Sequence, residues 1–185
     1  MPTVIIRPTS TTSQTGWNQS NIHSVLGDNN TTTGVNQNNV SCNFVGVLNN
    51  LDASLSGATI DSLKIHLNAA AGRLGSASVA MSLVHSTDGN FASETESWTS
   101  SQTTQSTSLR TTQADGSTAL NYTYINDCSV KIIPNTQGIT AYELYVEISY
   151  TPASGYGNDV KGVSATNIDK INSVDTANIQ KVNGV

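Results

Sequence analysis

The clearest hydrophobic alternation in the chain runs through AYELYVEISYTP, residues 141–152. Written as an extended chain, it puts Tyr142, Leu144, Val146, Ile148 and Tyr150 on one face. Glu143, Tyr145, Glu147 and Ser149 fall on the other, and Pro152 closes the strand. ATIDSLKIHLNA places Leu63, Ile65 and Leu67 inward against Lys64 and His66, and SASVAMSLVHS places Val79, Met81 and Leu83 inward, with Asp88-Gly89 marking the turn that follows. VSCNFVGV alternates Val40, Cys42 and Phe44 against Ser41 and Asn43, and TVIIR makes a short opening strand ended by Pro8. NYTYIND and SVKIIPN read as two further strands. Residues 94–113 are polar except for Trp98 and Leu109 and predict a long loop crossing into a weak strand. Seven to nine short strands with no long helix predict an all-β, jelly-roll-like β-sandwich over residues 1–152.

Composition supports that reading. Only 11% of the 185 residues are charged and 36% are hydrophobic, so Ser, Thr and Asn supply the polar balance. Ser and Thr beside Val and Ile suit strands, whereas Ala, Leu, Glu and Lys are too scarce for long helices. Low charge also separates the chain from ordinary disordered sequences. With eight Lys plus Arg and a net charge of −5, no basic cluster exists to neutralise a run of phosphates, which argues against a nucleic-acid partner. No apolar stretch approaches the roughly 20 residues of a membrane-spanning helix. MPTVIIRPTS lacks the apolar core of a signal peptide, so synthesis in a cytoplasm is expected.

After ASGYGND, a small-residue linker over residues 153–159, the chain changes character. Residues 160–185 repeat every eleven positions: VKGVSATNIDK, INSVDTANIQK, then VNGV. The apolar positions are Val160, Val163 and Ile168, then Ile171, Val174 and Ile179, then Val182 and Val185, with a small residue always third. Glycine and β-branched residues are poor for a continuous helix. Ser164 and Asp175 stand where N-caps belong. The unit therefore reads as a short extended piece followed by one capped helical turn. Such a unit cannot bury its apolar face alone, and about three repeats are normally needed. Two and a fraction predict an assembly tail completed by other copies or a partner; the alternative is a tail folded back on its own sandwich.

Several of these segments look familiar together. An opening strand ending in Arg7-Pro8, then Gly16-Trp17, then the pair TIDSLKIHL and SASVAMSLV, and finally YELYVEISYTP resemble a jelly-roll module of tailed-bacteriophage virion proteins. The same module also resembles carbohydrate-binding modules of bacterial secreted proteins. The NGV and NIxK elements of the repeat look like tails on phage structural and fibre-associated proteins. The resemblance implies a virion component made in the host cytoplasm. Capsid decoration or knob protein is favoured over tail fibre, with a homotrimeric state and the major capsid protein as partner. No catalytic residues come with it.

The chemistry legible in the residues is sparse. His23, His66 and His85 have no carboxylate or cysteine at ligand spacing, and no hydrolase, P-loop or calcium-loop motif occurs. Glu94 and Glu96 make a weak hydrolase pair, because a glycosidase needs its carboxyls across a cleft. No metal, cofactor or catalytic residue is expected. Cys42 and Cys128 read as two small buried hydrophobes, with a disulfide as the alternative. Sugar binding has better support, since Trp17 and Trp98 stand in polar surroundings and Tyr122, Tyr124 and Tyr145 suit an exposed sheet face. The competing reading is that both tryptophans plug the ends of the core. A host-surface glycan is thus a second candidate partner.

Overall fold

The computed structural model describes residues 1–38, 41–72, 75–153, 170–171 and 174–175. Its two longest strands are those with the cleanest alternation, Thr59–Ala71 and Ile139–Thr151. Their inward residues Leu63, Ile65, Leu67, Leu144, Val146 and Ile148 are almost completely buried. In chain order the elements are β1 (Thr3–Ile6), β2 (Pro8–Thr15), α1 (Ile22–Leu26), β3 (Val35–Asn36), β4 (Asn43–Leu48), β5 (Thr59–Ala71) and β6 (Ser76–His85). There follow β7 (Gly89–Thr99), β8 (Thr103–Ser106), α2 (Tyr122–Asn126), β9 (Cys128–Pro134) and β10 (Ile139–Thr151). The repeat region contributes β11 (Lys170–Ile171) and β12 (Val174–Asp175).

These strands build two antiparallel five-stranded sheets packed face to face. One runs β1-β10-β5-β8, with β3 beside β1 on the same edge of β10; the other runs β2-β4-β9-β6-β7. The predicted all-β sandwich is therefore the observed architecture. Phe44, Val79, Met81, Leu83, Val130 and Ile132 of the second sheet meet the inward residues of the first in one continuous core. Full burial of each such side chain contributes about 1.5–3 kcal/mol. α1 adds Ile22, Val25 and Leu26, packing between β2 of one sheet and β10 of the other.

Four expectations change. Pro8 does more than end the opening strand: it begins a Ser/Thr-rich edge strand paired with β4, and register shifts along it spoil its edge for further pairing. Residues 94–99 belong to β7, another edge strand, which needs few apolar residues because only Phe91 and Trp98 of it are buried. NYTYIND is a helical turn instead of a strand. The Asn121 side chain accepts a hydrogen bond from the Tyr124 amide, and this cap outweighs the β preference of Tyr, Thr and Ile. Along β10, bulges at Tyr142 and between Ser149 and Tyr150 break the single-face pattern, so Tyr142 and Tyr150 are only half-buried.

Cys42 and Cys128 are both buried and free, and burial pushes each thiol up to about 12. In the tail, β11 and β12 pair antiparallel, with Ile171 opposite Val174 and Lys170 opposite Asp175. Val160, Val163, Ile168, Ile179, Val182 and Val185 lie outside the described residues, as does Val40.

Candidate functional site

The outer face of the β1-β10-β5-β8 sheet carries a cluster of interacting polar and aromatic side chains. Register places Tyr145 of β10 opposite His66 of β5, and His66 opposite Ser106 of β8. Arg7 follows β1 on the far side of β10, at the corner where the chain crosses to the second sheet. Arg7, Tyr145, His66 and Ser106 thus form one row across four strands. The Tyr145 and His66 rings stand off the sheet and stack, with centroids 4.6 Å apart and planes 7° apart. That spacing is close to the interstrand distance of about 4.8 Å, so register itself produces the stack. The Arg7 guanidinium sits 5.3 Å from the Tyr145 centroid, on the side away from His66. Ser106 Oγ lies 2.7 Å from His66 Nδ1.

Rows to either side complete the face. Towards one end come Glu147 and its register partner Lys64; towards the other come Glu143 and its neighbour Asn68, which meets Thr104 and Gln102. Glu143 is only 8% exposed, and its carboxylate accepts from Arg7 at 2.8 Å. Loop 27–34 crosses this end. Asn29 accepts from Arg7 at 2.6 Å, and the Thr31 carbonyl accepts from Gln102 at 2.8 Å. Asn29 adopts a left-handed φ of 58°, which asparagine tolerates better than most residues. A Cβ at Gly34 would come within 2.9 Å of the Tyr142 ring, so only glycine lets the loop lie this close to β10.

The electrostatics of the row follow from this packing. Burial holds the His66 imidazole below its usual pKa and Lys64 adds to that effect, while Glu147 and Glu143 oppose it. Its Nε2 lies 3.5 Å from Glu147. Burial also pushes the Tyr145 phenol up, helped by the two glutamates, so it stays a hydrogen-bond donor. Among the described residues four buried side-chain polar atoms lack a partner within the chain. Two of them, Arg7 Nε and His66 Nε2, are in this row. Buried polar atoms are normally satisfied; the other two exceptions, Gln14 Oε1 and Asn43 Oδ1, lie on the paired strands β2 and β4 of the opposite sheet.

The tryptophans lie elsewhere. Trp98 is 1% and Trp17 9% exposed, and their indole N–H groups donate to the backbone carbonyls of Thr103 and Asn43. They plug the core, and neither offers a ring face to a glycan. Tyr124 is also buried, stacked on His85 at 3.9 Å with Phe91 against its edge. His85 in turn pairs with Asp88 at 3.2 Å, which ties the β6–β7 turn to α2. Asp88 therefore serves the turn. Glu94 accepts from the Ser108 amide. Among the described residues no three His, Cys, Asp or Glu side chains gather as a metal site would require.

No family model matches the sequence, and no curated protein does. Solved structures of similar shape include the C-terminal CBM6 of LamC, a marine laminarinase from Zobellia galactanivorans: 9% identity, TM-score 0.43, over 80% of this chain and 99% of that one. The GH26-CBM35 β-(1,4)-mannanase of Podospora anserina aligns at 13% identity and TM-score 0.45, over 85% of this chain and 32% of that one. The carbohydrate-binding module CBM6cm-2 of Cellvibrio mixtus lichenase 5A, in complex with cellotriose, aligns at 12% identity and TM-score 0.40, over 80% and 97%. Likeness at this level assigns no function.

Proposed function

We propose that the protein is a non-catalytic glycan-binding β-sandwich that reads its ligand on the outer face of the β1-β10-β5-β8 sheet. The observation that carries this reading is the row Arg7–Tyr145–His66–Ser106. It sets a guanidinium, a phenol, an imidazole and a hydroxyl side by side on one sheet face, flanked by Asn68, Gln102 and two carboxylates. Planar and hydroxyl side chains in such density match a ligand rich in groups that both donate and accept hydrogen bonds. The rigid strands hold them in register without any ordering on binding. Placement on a phage virion, as a trimeric decoration or fibre component docked on the capsid through residues 160–185, remains our proposal for where the module is carried.

The test is a printed glycan array probed with the wild type and with Tyr145→Ala. Selective binding that the substitution abolishes, with the circular-dichroism spectrum retained, is the expected result. Absence of binding to any glycan, or binding unchanged in the variant, overturns the reading.

A further inference from the structure

We infer that the ligand is an uncharged glycan chain laid across the strands from Arg7 to Ser106 and read by hydrogen bonds to ring edges, without stacking on an open aromatic face. This rests on the glycan-binding reading above and narrows it to one class.

Three features of the face carry the inference. The first is charge balance. Around the row stand Arg7 and Lys64 against Glu143 and Glu147, two of each sign. Arg7 is committed to Glu143 at 2.8 Å, and Lys64 stands opposite Glu147 in the β5–β10 register. Burial keeps His66 in its neutral form at neutral pH. Among the described residues the row therefore carries no net positive charge to hold a sulfate, uronate or sialic acid carboxylate.

The second is the orientation of the rings. Tyr145 is flanked by His66 on one side and Arg7 on the other, so both its faces are taken. What it offers outward is an edge and a hydroxyl. A sugar held here is recognised through its hydroxyls, which can meet the outward Tyr145 hydroxyl as donor and acceptor.

The third is length. Four side chains at successive strand positions span roughly 14 Å, three interstrand steps of about 4.8 Å. A pyranose ring is similar in size to one step, so the row accommodates about three sugar units, where a single-sugar pocket would need walls on all sides. Among the described residues, loop 27–34 walls one long side, through Asn29 and Thr31.

The experiment is a titration of the wild-type protein against the array glycans as free oligosaccharides. Neutral hexose and pentose chains of one to six units are compared with uronate, sulfated and sialylated chains of the same lengths. Affinity for neutral chains is expected to rise at least tenfold from one unit to three and to level off beyond, with acidic chains at least tenfold weaker. Preference for acidic chains, or equal affinity for one unit and three, overturns this inference while the glycan-binding reading stands. No binding by any chain overturns both.

Discussion

His66 and Tyr145 come from strands β5 and β10, stand opposite each other in register and stack 4.6 Å apart on the outer face of their sheet. Neither ring contributes to the inter-sheet core. Their pairing concentrates polar, planar groups where an antiparallel sheet ordinarily faces water.

Tyr145→Ala should therefore separate binding from folding. Loss of the stack and of a half-buried ring is expected to cost about 1–2 kcal/mol, leaving a cooperative unfolding transition in urea. Trp98→Ala removes a fully buried indole and should cost about 3–5 kcal/mol. Equal destabilisation by the two substitutions would mean that Tyr145 is a core residue.

Arg7 and Glu143 form a mostly buried ion pair beneath loop 27–34. Arg7→Ala leaves the Glu143 carboxylate unpaired and should destabilise by about 2–4 kcal/mol. The double variant Arg7→Met, Glu143→Leu should recover most of that loss, since no charge is left buried. Urea unfolding of the wild type, Arg7→Met, Glu143→Leu and the double variant closes the cycle.

His66 gives the fold a pH dependence whose sign is fixed. Burial lowers its folded pKa below the unfolded value of 6.5, so the unfolded chain binds the proton more readily. The stability contributed by the neutral imidazole is fully present above about pH 6.5. It is lost as pH falls from there through the lower folded value. Melting temperatures of the wild type and His66→Gln should converge between about pH 7.5 and about pH 5.5. A constant gap across that range would contradict the account.

The assembly expectation is tested in solution. If residues 160–185 hold subunits together, light scattering should give the full chain at three times its 19.4 kDa mass and the truncated chain as a monomer. An unchanged oligomeric state after truncation refutes the role of the tail.

Much of the fold was legible because period-two alternation is strong in β5, β6 and β10. It put Leu63, Ile65 and Leu67 inside and His66 and Tyr145 outside before any pairing was known. The site was not legible in the same way. Alternation assigns a residue to a face, whereas only register brings Tyr145 against His66, and register is set by partners 79 positions apart in the chain. Trp17 and Trp98 misdirect a reading by composition, because their polar sequence neighbours lie on edge elements while the indoles turn inward. α2 was misread because one side chain, Asn121, decides it.

The most direct test of the central claim is a nuclear magnetic resonance titration of the labelled protein with the tightest-binding array glycan. The account predicts shift changes clustered on Arg7, His66, Ser106 and Tyr145, with the outer face of the β2-β4-β9-β6-β7 sheet silent. Changes centred on that opposite face, or none at the row, would contradict it.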